Sequence, residues 1–210
     1  MHKVCIAGIG PGDLAYITPA ALAAIKASDI LVGGKRNLAG FQDLNKETFE
    51  FRTSMEDLLL FVAEARVTRK VCIVVSGDPG FYSLLDFFLK KLGPEALEVI
   101  PGISSFQYLF AKLVKPWKDF SLCSMHGRTA DIKEKLMEKG GVFLLTDRSH
   151  NPAAIADYLL SQGLDRCTVT VGENLSYPDE RIISGRPWEI KEQKFSELCV
   201  VVIEKDDLEI

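Results

Sequence analysis

The sequence predicts an α/β protein of two α/β domains, with a mostly parallel N-terminal sheet and a mixed C-terminal sheet. Three observations carry this reading. Through the first half of the 210-residue chain, short Val/Ile/Cys runs alternate with segments of helical apolar periodicity. Those runs are continuously apolar, as expected where helices cover both faces of a parallel sheet. In the second half, the closer spacing of the last two strand-like runs allows antiparallel pairing across Pro187-Trp188.

The elements follow in order. A strand over residues 3–8 opens the chain. Thr18-Pro19, a polar cap followed by proline at the first helical position, starts a helix over 19–28. Strands are expected at 29–33, 48–51, 70–75 and 97–100. Ser54 with Asp57 caps a helix over 54–65. A third helix covers 81–92 and stops at Gly93-Pro94, and a fourth covers 104–114 with Ser104 or Ser105 as its cap. The charged, proline-containing stretch Lys115-Pro116-Trp117-Lys118-Asp119 reads as a boundary between a domain at 1–115 and one at 119–210, with Trp117 packed at the junction. The second domain restarts with a strand at 120–124, a helix at 131–139 and a strand at 141–146. Asn151-Pro152 then starts a helix that Gly163 ends. Strand-like runs at 167–173, 181–184 and 198–203 complete the chain, and no period of solenoid length repeats.

Composition narrows the function. The chain is 47% hydrophobic and 26% charged, as soluble globular proteins are. A formal charge of −4 argues against a general nucleic-acid binder. It leaves room for local basic clusters, such as Lys112, Lys115 and Lys118, or Lys35-Arg36 with Arg128 and Arg148. The apolar stretches are strand-sized, far short of the roughly 20 residues a membrane helix needs, and no signal-peptide core precedes the first strand. Cys5, Cys72, Cys123, Cys167 and Cys199 are dispersed, with no Cys-x-x-Cys spacing. Cys5, Cys72 and Cys199 sit in apolar strand runs, where cysteine acts as a small core hydrophobe. This pattern fits a reducing cytoplasm and offers no zinc, iron–sulfur or disulfide framework. Histidines only at 2, 126 and 150 likewise argue against a protein metal site.

Two loops stand out. Ser76-Gly77-Asp78-Pro79-Gly80-Phe81-Tyr82-Ser83 joins a buried strand to a helix, and open α/β sheets bind ligands at such carboxyl ends. Asp78 does not suit a phosphate, but it can accept hydrogen bonds from a ribose or amino group; an ordinary turn with an Asp helix cap is the competing reading. The second loop, Gly8-Ile9-Gly10-Pro11-Gly12-Asp13, is rich enough in glycine to require a sharp turn or a close approach. A dinucleotide-binding assignment fails here. A phosphate-binding glycine loop runs directly into its helix, whereas the next helix start is Thr18-Pro19. Asp29 begins the second strand, where a ribose-binding acid belongs at its end, and Pro11 removes a backbone donor. No Gly-Lys-Ser/Thr follows for a Walker A loop. Pro101-Gly102-Ile103-Ser104-Ser105 repeats the strand–turn–helix arrangement, so the glycine loops after strands one, four and five can converge on one sheet edge.

Taken together, these loops resemble those of the tetrapyrrole methylases, S-adenosylmethionine-dependent enzymes of corrinoid and sirohaem biosynthesis. The resemblance spans essentially the whole chain. Within that family, Leu31-Val32-Gly33-Gly34-Lys35-Arg36-Asn37-Leu38, Gly77-Asp78-Pro79-Gly80-Phe81-Tyr82, Pro101-Gly102-Ile103-Ser104-Ser105-Phe106-Gln107, Met125-His126-Gly127-Arg128 and Val171-Gly172-Glu173-Asn174-Leu175-Ser176-Tyr177-Pro178-Asp179-Glu180 are similar to the branch acting on precorrin-6Y or cobalt-precorrin-7. That branch methylates the C5 meso carbon during cobalamin synthesis.

The resemblance implies the tetrapyrrole methylase fold, with S-adenosylmethionine held in a cleft between two α/β domains, and a homodimer. It places cofactor contacts at Ile9, Pro11, Gly77, Asp78, Phe81, Ser104, Ser105, Leu145 and Leu175; Leu145 and Leu175 also read as plain core residues. Some related chains fuse the C5 methylase to a module that methylates C15 and removes a carboxylate. This chain ends soon after its last strand, at Glu204-Lys205-Asp206-Asp207, so the expectation is C5 methylation alone, with a separate C15 partner and a cobalt-containing substrate. The alternatives are methylation of another precorrin position or acceptor, or a non-enzymatic cofactor sensor. In-line methyl transfer needs alignment and exclusion of water more than a protein nucleophile. His126 has the intrinsic pKa, near 6.5, of a residue that could take a proton, and an orienting role is equally open. Arg36 and Arg128 are the first candidates to meet the carboxylates of an anionic tetrapyrrole, ahead of Lys35 and Arg148.

Overall fold

Two five-stranded sheets organise the protein, in a computed structural model that describes residues 1–51, 54–125 and 131–206. The chain divides into two compact units, Met1–Ser104 and Ser105–Ile210.

In the first unit, β1 (Val4–Gly8), α1 (Pro19–Ala27), β2 (Ile30–Gly33), α2 (Lys35–Ala39), β3 (Glu47–Glu50), α3 (Met55–Ala65), β4 (Val71–Val75), α4 (Leu85–Leu92) and β5 (Leu97–Ile100) follow one another. Helices α1 and α3 start at side-chain caps. Thr18 Oγ1 accepts the Ala21 amide at 3.1 Å, and Ser54 Oγ accepts that of Asp57 at 3.1 Å. The strand order is β3-β2-β4-β1-β5, and every pairing is parallel. Val4 and Ile6 of β1 pack with Ile73 and Val75 against Leu58, Val62 and Phe88 of α3 and α4. Cys5 and Ala7 point the other way, with Cys72 and Val74, onto Ala21, Ile25 and Leu38 of α1 and α2. The central strands are therefore buried on both faces, which is why they read as unbroken apolar runs. Because β4, β1 and β5 are neighbours, the loops after these three strands lie side by side at one edge, where the chain reverses its direction of winding.

In the second unit come α5 (Ser105–Lys112), β6 (Phe120–Ser124), α6 (Ile132–Lys139), β7 (Gly141–Leu145), α7 (Pro152–Ser161), β8 (Cys167–Glu173), β9 (Arg181–Gly185), α8 (Pro187–Lys191) and β10 (Cys199–Lys205). Asp131 and Asn151 cap α6 and α7 through the Glu134 and Ala154 amides, each at 2.9 Å. The order is β6-β7-β10-β8-β9. Strands β6 and β7 are parallel, whereas β10 runs antiparallel to both β7 and β8. One face buries Val142, Leu144, Val171 and Val201 against Leu136, Ile155, Leu159 and Ile190. On the other face, α5 brings Phe106 to 5.9 Å from Phe143 and Phe110 to 4.6 Å from Phe120, between ring centroids.

Several elements differ from the sequence reading. The division falls at Ser104/Ser105 rather than at 115–119. The apolar side of α5 packs on β6 and β7, and Trp117 sits edge-on to Phe106 at 5.0 Å within the second unit. Lys115 is also inside that unit, paired with Glu204 of β10 at 2.7 Å. The last two strands do not pair with each other: β8 lies between β9 and β10, and Pro187-Trp188 opens α8. The helix expected over 81–92 starts at Leu85, because Tyr82 takes a left-handed φ of 50° that ends the preceding turn. Helix α2 has too short an apolar pattern to be read from sequence. All five cysteines are buried and unbridged. No helix among the described residues is long and apolar enough to cross a membrane.

Candidate active site

The carboxyl edge of the first sheet is built from backbone. The amide of Ile9 donates to Val75 O at 2.9 Å, and that of Gly77 donates to Gly10 O at 2.7 Å. Gly10 and Gly77 have φ of 85° and 67°, which side chains rarely adopt. The loops also touch main chain to main chain. A Cβ on Gly8 would lie 2.5 Å from the Gly77 carbonyl oxygen, and one on Gly102 would lie 2.2 Å from the same atom. Glycine is required at 8 and 102 by contact.

Asp78 ties this edge together. Its Oδ1 accepts the Gly80 amide at 2.8 Å and its Oδ2 accepts the Gly102 amide at 3.1 Å. The carboxylate therefore closes its own turn and clasps the loop after β5. It does not cap α4, which begins at Leu85. Ile9 is buried, Pro11 and Phe81 are half-buried, and Ser104 is buried at the end of the third loop. The Phe81 amide donates to Asp78 O at 3.2 Å. Arg36, on α2, extends to the same edge, where its Nη2 donates to Ser76 Oγ at 3.3 Å. Six of the expected site residues thus share this edge with Arg36.

Ser105 opens α5, and the remaining described candidates sit where β7 and β8 of the second sheet end. Leu145 ends β7, and its carbonyl accepts the Met125 amide at 2.8 Å. Leu145 and Gly172 both stand opposite Val200 of β10, so the ends of β7 and β8 are level. Leu175 is buried, folded back so that a Cβ on Gly172 would lie 2.9 Å from its Cδ2. The loop carrying it holds two non-glycine residues at positive φ, Asn174 at 46° and Ser176 at 68°. Such backbone persists only where its surroundings enforce it. Here Asn174 Nδ2 donates to Asp179 Oδ2 at 2.7 Å, and the Ser176 amide donates to Glu180 Oε2 at 2.6 Å. Lys112 Nζ of α5 meets Glu180 Oε1 at 3.2 Å. Burial pushes the Glu180 carboxyl up, but hydrogen bonds from Tyr108, the Ser176 amide and Lys112 outweigh it and hold the pKa below the ordinary value. Below the loop, the buried Glu173 carboxylate accepts the Arg181 guanidinium and the Ser196 amide.

His126 and Arg128 lie outside the described residues. Lys112 and Lys115 are each paired with a carboxylate of their own unit, as is Arg148, which meets Glu197 at 2.9 Å. An open depression of about 390 Å³ lined by Phe120, Lys139, Gly141 and Asp206 lies at the amino ends of β6 and β7, and none of the described site residues lines it. Sequence reasoning included Ser76, Asn37 and Glu180 as members of its motifs but gave them no role, because their partners are set by strand order and loop geometry.

These edges belong to a known class. The family profile for tetrapyrrole (corrin/porphyrin) methylases matches residues 3–190, and the chain belongs to that family. Within it, the chain is 37% identical over 177 residues to the cobalt-precorrin-7 C(5)-methyltransferase of Salmonella typhimurium, covering 84% of this chain and 87% of that one. It is 33% identical over 213 residues to the probable cobalt-precorrin-7 C(5)-methyltransferase of Methanocaldococcus jannaschii, covering 97% and 99%. The fold is likewise that of the uroporphyrin-III C-methyl transferase of Thermus thermophilus solved with S-adenosyl homocysteine, at a TM-score of 0.77 and 22% identity over 96% and 97% of the two chains.

Proposed function

We propose that this protein transfers a methyl group from S-adenosylmethionine to C5 of cobalt-precorrin-7 in cobalamin biosynthesis. The observation that carries the reading is the 37% identity to a cobalt-precorrin-7 C(5)-methyltransferase across 84% of the chain. The side-by-side loops after β4, β1 and β5, at the carboxyl ends of an open parallel sheet, support a ligand site there. When bound, S-adenosylmethionine supplies an electrophilic methyl with its leaving group already in place.

The chain's own residues bind, orient and exclude water. We assign cofactor contact to Ile9, Pro11, Gly77, Phe81, Ser104, Ser105, Leu145 and Leu175, with Asp78 holding the loops in register. Arg36 and Arg128 take carboxylates of the macrocycle. His126 holds or removes a macrocycle proton, so no cysteine, serine or lysine has to form a covalent intermediate. The C15 methylation and decarboxylation fall to a separate partner, and the working form is a cytoplasmic homodimer.

The test is an incubation of labelled methyl donor with candidate cobalt-precorrins, the product being mapped by carbon NMR. A single label at C5 without loss of carbon dioxide is expected, and label at C15 or another ring carbon would overturn the assignment. In calorimetry, S-adenosylmethionine and S-adenosylhomocysteine bind, and NAD and ATP do not. His126→Ala lowers turnover more than cofactor affinity, and unchanged turnover across pH removes histidine from the proton step. Sedimentation at several concentrations tests the dimer, against which a persistent monomer near 23.3 kDa would count.

A further inference from the structure

The arginines of this chain are not equivalent. Arg69, Arg148, Arg181 and Arg186 each engage a carboxylate of the protein. Arg36 does not: among the described residues no carboxylate stands within ion-pair distance of it, and its guanidinium donates to the neutral Ser76 hydroxyl at 3.3 Å. That hydroxyl in turn donates to Asn37 Oδ1 at 2.7 Å, and Asn37 Nδ2 donates to Val74 O at 3.4 Å. The chain of bonds runs from α2 to the last residues of β4, directly before Gly77 and Asp78. It is short because β2 and β4 are neighbours and because Gly33 has no side chain; a Cβ there would lie 2.8 Å from Val74 Cγ2. Arg36 and Ser76 are both exposed, so a ligand can reach the guanidinium.

We infer that Ser76 and Asn37 are positioning residues for substrate recognition: they hold Arg36 at the carboxyl edge of β4, on a neutral acceptor that an incoming carboxylate displaces. A carboxylate accepts two parallel bonds from a guanidinium, and each is stronger than a bond to a hydroxyl. Ser76 keeps the arginine extended towards that edge. Asn37 fixes the hydroxyl by accepting its hydrogen bond, which turns the oxygen's lone pairs to Arg36. The inference rests on the reading of Arg36 as a carboxylate-binding residue.

Uroporphyrin III, an octacarboxylate, serves as the probe, with binding followed by quenching of tryptophan fluorescence and S-adenosylhomocysteine binding measured by calorimetry in parallel. Arg36→Ala weakens uroporphyrin binding by about tenfold or more, the scale of one charged hydrogen-bonded contact. Ser76→Ala and Asn37→Leu weaken it by about three- to tenfold and leave S-adenosylhomocysteine affinity unchanged. Ser76→Thr, which keeps the hydroxyl, stays within about twofold of the natural protein. In an Arg36→Ala background, Ser76→Ala has no further effect, because residues acting through one another are not additive. An unchanged Ser76→Ala affinity, or the same loss with and without Arg36, overturns the positioning role while leaving Arg36 as a ligand. Wild-type affinity in Arg36→Ala, or no uroporphyrin binding by the natural protein that still binds S-adenosylhomocysteine, removes the carboxylate reading and this inference with it.

Discussion

The Asp78 carboxylate and the Gly102 amide meet at 3.1 Å across neighbouring loops that lie 24 residues apart in the chain. With Gly80 on its other oxygen at 2.8 Å, Asp78 holds the turn after β4 against the turn after β5. This relationship fixes the two turns against each other at the carboxyl edge of the first sheet.

Asp78→Asn replaces one acceptor oxygen with a donor facing a backbone amide. Stability falls by about 1–3 kcal/mol, the cost of leaving such a group unpaired. S-adenosylhomocysteine affinity falls with it, by about tenfold, as the two turns separate. Denaturant unfolding and calorimetry on the same preparation check both. A stable variant with full affinity would show that the clasp does not set the edge.

Gly102→Ala places a methyl 2.2 Å from the Gly77 carbonyl oxygen and 2.7 Å from the Gly8 carbonyl carbon. Neither neighbour is the end of a flexible side chain, so the backbone has to shift. The expected loss is about 3 kcal/mol, at the upper end for overpacking. Gly10→Val adds a strained φ of 85° and a contact with the Tyr16 carbonyl at 3.0 Å. Circular dichroism with ligand titration separates a folded but non-binding variant from an unfolded one.

Gly172→Ala acts differently. Its methyl meets side-chain ends, Leu175 Cδ2 at 2.9 Å and Leu109 Cδ1 at 3.2 Å. These can move, so the stability cost is about 1 kcal/mol. Leu175, however, is displaced, and S-adenosylhomocysteine binding weakens more than the thermal midpoint suggests. Equal, small changes in both would leave Leu175 as an ordinary core residue.

Glu180→Gln tests the loop that carries Leu175. The folded-state pKa of Glu180 lies below the ordinary value of 4.5, so at and below that pH the unfolded chain binds more protons than the folded one. Its stabilisation is present above about pH 4.5 and is lost as pH falls through the folded value. The variant is less stable at neutral pH by about 1–2 kcal/mol, through weakened bonds to Lys112, Tyr108 and Ser176. Its stability also declines less steeply below pH 4.5 than that of the natural protein. Denaturant unfolding at a series of pH values reads the slope, and parallel curves would remove Glu180 from the acid response.

Much of the fold was legible because its determinants are local. Thr18-Pro19, Ser54, Asp131 and Asn151 start helices through bonds to amides within three residues. The strands β1, β2 and β4 are apolar throughout, and β10 is so from Cys199 to Ile203, because both faces are covered. Family membership was equally legible, since it rests on loop residues in order along the chain. What periodicity does not encode is which strands become neighbours. The pairing of β10 with β7 and β8, the attachment of α5 to the second sheet, the Asp78–Gly102 clasp and the Arg36–Ser76–Asn37 chain all join residues distant in sequence. These contacts form only when the sheets assemble, because the lateral order of strands is decided by how their two faces bury against helices and not by any one strand's pattern. The sequence alone determined most of the elements, the class of enzyme and the loops that matter; the tertiary structure decided which loop atoms hold one another, because that depends on strand adjacency.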